Sequence, residues 1–166
     1  MPRPADERRA AAGTPAADDR SSGKTEAEVL RRQYGALPFR YRADGLVEVL
    51  LVTSRRTGRW IIPKGWPASG MRPSELAARE AMEEGGVTGR IEEQPIGSYR
   101  HKKTLSDGSV VRCKVEIYAL EVDAQMPTWP EFKQRSTQWF SVAEAAAVVR
   151  DSELKAVILS LVSNSR

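Results

Sequence analysis

The stretch from Pro73 to Gly86 leaves this chain little conformational choice. Proline is tolerated in the first turn of a helix, the residues behind it (Glu75, Leu76, Ala77, Ala78 and Ala81) are strong helix formers, and Gly85-Gly86 ends the run. A helix over Pro73–Glu84 is therefore predicted. On its projection Ala77, Ala78, Ala81 and Met82 share one side, while Glu80, Glu83 and Glu84, at i, i+3 and i+4, converge on another. Like charges so placed destabilise an isolated helix by roughly 0.2–0.5 kcal/mol per pair. Arg79 and solvent offset this only in part. A divalent cation offsets it better, because Mg2+ takes oxygen ligands, keeps several waters and binds through one or two carboxylates together with substrate phosphates. A solvated acidic face is the plain alternative, and the three carboxylates alone do not decide between the two.

Around that helix the chain reads as strands. Glu26–Arg32 reads as a short helical lead-in, and Tyr34–Tyr41 and Leu46–Thr53 as a hairpin joined by Ala-Asp-Gly. Trp60-Ile61-Ile62 reads as a third strand, and Pro63 to Pro67 as a loop leading to the acidic helix. Thr88–Thr104 and Ser109–Val122 form a second hairpin about Ser106-Asp107-Gly108, the latter segment alternating with period two. After a proline-bearing loop (Met126–Pro130) comes a strand, Thr137–Phe140. Ser141 then caps a helix over Val142–Val149, and Asp151 caps a last one over Ser152–Val162. Strands, a helix, more strands and terminal helices imply a layered α/β domain.

At 166 residues the chain holds one domain with a proper core, and it has no apolar run of membrane-spanning length. Met1 to Thr25 has almost no bulky apolar residue and no signal-peptide core, so a disordered tail (1–25) ahead of one folded domain (26–166) is expected. A single cysteine, Cys113, excludes an internal disulfide and a cysteine-based zinc cluster. It reads as a small core residue, and a reducing cytoplasm fits. The single histidine, His101, excludes a histidine triad and a histidine-rich metal site, leaving it a phosphate contact at most. A formal charge of +4 and a pI near 9.4 favour anionic partners.

Gly65, fourteen residues before Arg79, extends the acidic helix into a longer pattern: Gly65, Arg79, Glu80, Ala81, Glu83, Glu84, Gly86 and Val87. In these positions the chain resembles the Nudix hydrolase family, whose signature is Gly-x5-Glu-x7-Arg-Glu-U-x-Glu-Glu-x-Gly-U with U apolar. One position departs, since Met71 stands where the first signature glutamate belongs. Activity is expected to survive this, with the loop before the helix organised differently. The resemblance covers roughly Gln33 to Leu161 and implies an α/β fold with a mixed β-sheet sandwiched between α-helices. The flanks Pro63-Lys64-Gly65 and Arg135-x3-Trp139-Phe140 are similar to the branch containing diphosphoinositol polyphosphate and diadenosine polyphosphate hydrolases.

The resemblance implies a hydrolase of phosphoanhydride bonds, acting on a nucleoside diphosphate-X, a dinucleoside polyphosphate or a diphosphoinositol polyphosphate. It implies Mg2+ or Mn2+ on Glu83 and Glu84, with Glu80 as a further ligand or the general base, and Arg79 orienting a glutamate through an ion pair. A binding module that senses a nucleotide without turnover is the alternative, motivated by Met71. For substrate contacts, Lys64 beside Gly65 is the first candidate; Arg100 and Lys102, within a basic run, and Arg112 with Lys114 could also grip a polyphosphate, or form a strand edge protected by charge. Glu116 and Glu131 are each a further metal ligand, a base or ordinary surface. Core packing is expected of Trp60 and Trp139, whereas Trp66 and Trp129 lie in loops where they could stack a nucleoside or close the cleft. No aromatic-basic pattern of an RNA module is present, so a small anionic substrate is the expected partner, not nucleic acid or membrane.

Overall fold

The structure, a computed structural model, describes residues 30–163. Its elements run β1 (Arg31–Tyr41), β2 (Val47–Thr53), β3 (Trp60–Ile61), β4 (Lys64–Gly65), α1 (Pro73–Gly85), β5 (Val87–Ile91), β6 (Gly97–Thr104), β7 (Val110–Gln125), β8 (Thr137–Ser141), α2 (Val142–Val148) and α3 (Ser152–Ser163). The expected tail and most of the helical lead-in lie outside the described residues. Arg31 and Arg32 lie within them, and they are strand, because β1 starts early to run parallel to β7 from the Arg31↔Cys113 pair onward.

The strands form one mixed sheet. β1 pairs antiparallel with β2 and parallel with β7, while β3 and β8 both pair with β2. β7 is long enough to serve two partners: its first half pairs with β6 and its second half with β5. That division corrects the expectation of a single extended segment over Thr88–Thr104. Residues 92–96, with Pro95, break it, and the chain re-enters the sheet one partner-length further along β7. β4 was expected as loop; it is a two-residue strand on β1, pairing Tyr34↔Gly65 and Gly35↔Lys64.

Successive side chains of a strand point to opposite faces, and here both faces are buried. Leu37, Val49, Leu51, Val115 and Ile117 meet Ala145, Leu154 and Ile158 of α2 and α3 on one side. Ala36, Leu50, Tyr118 and Leu120 meet Ala77 and Ala81 of α1 on the other. Truncating a fully buried leucine such as Leu50 to alanine costs about 2–5 kcal/mol in cores of this kind. Cys113 is buried, and burial pushes its thiol up, which suits an inert core position. Among the described residues no helix is long and apolar enough to cross a membrane.

Candidate active site

α1 begins at Pro73. Glu75 accepts hydrogen bonds from the Arg72 backbone N–H (3.1 Å) and guanidinium (2.9 Å to Nη2), and so caps the first turn. The helix ends at Gly86, whose φ of 69° is left-handed and whose N–H donates to the Met82 carbonyl at 3.0 Å. The two-sided projection needs correcting, for Ala78 and Met82 are half-buried and Glu84 lies on the buried side with Leu76, Ala77 and Ala81. Glu84 is only 4% exposed. A buried carboxylate requires partners, and these come from outside the helix. The Lys64 backbone N–H lies 3.4 Å from its Oε2, and Arg135 Nη2 lies 3.3 Å from its Oε1. Burial raises the Glu84 pKa, with the Arg135 and Lys64 charges opposing the rise.

Glu80 is placed by an empty space. A Cβ on Gly65 would overlap the Glu80 carboxylate, so glycine in β4 is what lets that side chain lie where it does. The Glu80 and Glu84 carboxylates are within hydrogen-bonding reach of each other. Burial and then the Glu83 charge raise the Glu80 pKa, and Arg79 opposes them. Two carboxylates in contact cannot both be ionised without help. They need either a shared proton or a cation. Glu83 is more exposed and lies 3.8 Å from Arg79 Nε. Arg79 also stands 3.8 Å from Glu80, yet its closest acceptor is the Met71 sulfur, 3.1 Å from Nη1, and its buried Nε has no hydrogen-bond partner. Thioether sulfur is a weak acceptor. The residue replacing the signature glutamate therefore sits against Arg79 and offers its Nη1 a weak acceptor, while the charge is balanced by Glu80 and Glu83 on the other side.

Lys64 is central to the electrostatics. Its pKa is lowered by burial, while Glu84 and Asp151 pull it back up and Lys103 and Arg135 push it further down. His101 lies nearby; burial first and the Lys64 charge second push its pKa down to about 4, and its Nε2 is 2.8 Å from the Gln33 side-chain oxygen. With Tyr99 fully buried on β6, His101 and Lys103 fall on its side of the strand. Lys103 reaches the Trp66 ring, 5.1 Å from its centroid. Arg100 and Lys102 are exposed on the opposite side, where Lys102 pairs with Arg112 and Arg100 with Lys114. Lys64, Gly65, Arg79, Glu80, Glu83 and Glu84 are thus brought together, whereas Arg100, Lys102 and Arg112 are exposed on the side of β6 and β7 turned away from His101 and Lys103.

Glu116 is engaged elsewhere, accepting from the Tyr118 hydroxyl at 3.1 Å and lying 3.9 Å from Arg32. Glu131 is brought in: its backbone N–H donates to the Glu83 carbonyl (3.0 Å), its carboxylate accepts from Arg135 Nε (3.1 Å), and its charge is felt by both Glu80 and Glu84. Trp60 packs edge-on to Phe140, and Trp139 donates to the Gln125 side chain with Arg40 over its ring. Trp129 lies over Gly86, where any Cβ would strike its ring, and packs edge-on to Phe132. Two residues that motif spacing did not bring into the site are Lys103, which faces Lys64 because of strand parity, and Arg135.

The residues that could hold a divalent cation are Glu80, Glu83, Glu84 and Glu131. Among the described residues no three histidine, cysteine or acidic side chains stand ready-made as a metal cage. The donor set nonetheless fits Mg2+ or Mn2+, because such ions accept all-oxygen ligands and take part of their shell from water and substrate phosphate.

The NUDIX domain family model matches residues 31–160. Nudix hydrolase 21, chloroplastic, of Arabidopsis thaliana is 30% identical over 140 residues, covering 80% of this chain and 67% of that one. Diphosphoinositol polyphosphate phosphohydrolase 3-beta of Bos taurus is 29% identical over 113 residues, covering 66% of this chain and 65% of that one. The chain spans about two thirds of the length of both curated relatives. In fold it is similar to a C. elegans Ap4A hydrolase binary complex, with a TM-score of 0.60 at 20% identity over 81% of this chain and 96% of that one. With its family match running through nearly all of the described sheet and helices, and the signature residues gathered around Glu80 and Glu84, the chain belongs to the Nudix family.

Proposed function

We propose that this protein is a metal-dependent pyrophosphohydrolase that cleaves a phosphoanhydride bond in a nucleoside diphosphate-X, dinucleoside polyphosphate or diphosphoinositol polyphosphate. The observation that carries this reading is the buried Glu84 carboxylate, held by the Lys64 N–H and Arg135, with Glu80 seated over the adjoining Gly65, an acidic arrangement that a divalent cation relieves. Similarity to a diphosphoinositol polyphosphate phosphohydrolase and to an Ap4A hydrolase supports the two narrower substrate classes.

Hydrolysis of such a bond adds water at one phosphorus and breaks the bridging P–O bond, releasing two phosphorylated products and a proton. Glu80, Glu83 and Glu84 would hold Mg2+ or Mn2+, which supplies charge neutralisation for the phosphate oxygens and lowers the pKa of bound water. Lys64 offers a half-buried cation to a phosphate oxygen, worth more there than at a free surface because less water screens it. A carboxylate of the cluster takes the proton of the attacking water. Glu80, half-buried and with its pKa raised, has the basicity for this role, and it is the remaining use for that residue if it is not a metal ligand. Arg79 holds the charge balance of Glu80 and Glu83.

The test is a panel of dinucleoside polyphosphates, nucleoside diphosphate sugars and inositol pyrophosphates, each with Mg2+ and with Mn2+, and Glu84→Gln as the control. Turnover of at least one member, lost in the variant, is the expected result; a folded protein silent across the panel defeats the reading. A nucleotide-binding sensor without turnover is the second reading. The Met71–Arg79 contact favours it, because Arg79 lacks a carboxylate partner on that side. Ligand binding unchanged by Glu84→Gln, with no turnover, is its signature.

A further inference from the structure

Arg135 is a buried charge with an unusual distribution of partners. Its side chain is 9% exposed, and its guanidinium is divided among three elements: Nη1 donates to the Thr53 carbonyl at the end of β2 (3.0 Å), Nε to Glu131 in the loop before β8 (3.1 Å), and Nη2 to Glu84 on α1 (3.3 Å). The backbone beside it is pinned, since Ser136 N–H donates to Thr53 Oγ1 and Thr53 N–H to the Ser136 carbonyl. Glu131 is held on its own account by the bond from its N–H to the Glu83 carbonyl, and Arg55 approaches its carboxylate at 3.7 Å.

One carboxylate would neutralise this guanidinium. Two have been gathered on it, at adjacent corners of a rigid planar fork, and Glu80 contacts the second of them. We propose that Arg135 is a positioning residue that holds Glu84 and Glu131 as one unit, so that Glu131 joins Glu80 and Glu84 in presenting oxygen to a divalent cation. The proposal rests on the metal-dependent reading given above. It explains why the residue is arginine: a lysine supplies the charge but not two donors at fixed angles, so it cannot set the carboxylates relative to each other.

The experiment is a calorimetric Mn2+ titration of the full chain, with no substrate present, on the wild type, Glu84→Gln, Glu131→Gln, Arg135→Lys and the Glu131→Gln/Arg135→Lys double variant. Thermal unfolding of each establishes that it is folded. Arg135→Lys is expected to weaken Mn2+ binding about tenfold or more, the range seen when an outer-shell partner of a metal site is lost, and Glu131→Gln, which removes an oxygen offered to the ion itself, by at least as much. The double variant is expected to bind within about twofold of the weaker single, because both changes break the same unit. Wild-type affinity in Glu131→Gln overturns the proposal even if Arg135→Lys does not fold. So does a double variant whose losses multiply. If Glu84→Gln weakens binding and Arg135→Lys does not, the inference about Arg135 fails while the metal-site reading stands; if Glu84→Gln also binds as the wild type does, both fail.

Discussion

Replacing Gly65 by alanine separates what the fold needs from what the chemistry needs. The β4 backbone does not require a left-handed φ at this position, so alanine brings no conformational penalty there. The added methyl would meet Glu80 Cγ at 2.9 Å and Cδ at 2.5 Å, against an ordinary contact of 3.4–4 Å, so the Glu80 carboxylate must withdraw by roughly 1 Å. A flexible side chain can do so for about 0.5–1.5 kcal/mol of rotamer strain, while the stiffer unfolded chain returns about 0.4–1 kcal/mol. The net loss of stability is then below about 1 kcal/mol, or roughly 2–4 °C in Tm for a domain of this size. The displacement matters far more to catalysis, where misplacing a reacting group by about 1 Å costs on the order of 100-fold. Steady-state kinetics on the best substrate of the panel, alongside thermal unfolding, measures both. A variant with wild-type kcat refutes the view that the glycine exists to admit Glu80; one that loses 10 °C or more refutes the claim that the site can be perturbed without the fold.

Two further outcomes follow from the pairing around Arg79 and His101. Met71→Glu gives Arg79 a carboxylate in place of a sulfur acceptor at a half-exposed position, and is expected to raise stability by about 0.3–1 kcal/mol and kcat/KM several-fold; a lower Tm measured by calorimetry counts against the geometry described. His101 titrates at about 4 in the fold and near 6.5 in a free chain. Protonation therefore favours the unfolded state, so its contribution is complete above about pH 6.5 and is lost as pH falls towards 4. Because the ring is partly exposed, roughly 1–2 kcal/mol is the most this can amount to. Denaturant unfolding of wild type and His101→Gln between pH 4.5 and 7.5 should show the stability of the wild type relative to the variant declining on acidification, and a constant difference excludes the titration.

Sequence reading recovers what is local. Pro73 and Gly86 bracket α1 because each acts on the backbone where it stands, and Ser141 caps α2 because Glu144 is three residues away to complete the box. The Ser106-Asp107-Gly108 turn declares the β6–β7 hairpin in the same way. What escapes is settled by distant partners. β4 is a Lys-Gly pair with no strand pattern, and it is extended because β1 runs alongside it. Glu84 looks like one of three surface carboxylates until Lys64 and Arg135 close over it. Arg100 and Lys102 read as phosphate ligands on charge alone, yet strand parity turns Lys103 towards Lys64 in their stead, a one-residue matter that a basic run does not encode. Arg135 carried a resemblance and no assigned task, since nothing near it in sequence shows that its partners are Thr53 and Glu84.

The loop after β7 gives the molecule an order of assembly. Glu83 and Gly86 lie at the end of the acidic helix, and their carbonyls are taken up by the amides of Glu131 and Met126, which are synthesised some forty residues later. A nascent chain that has reached Gln125 already contains every signature residue and most of the sheet, yet the end of its helix is uncovered and Glu84 is without its guanidinium. On the metal-site proposal, competence to hold a divalent cation would thus arrive late, with residues that lie beyond the acidic helix and its glycine.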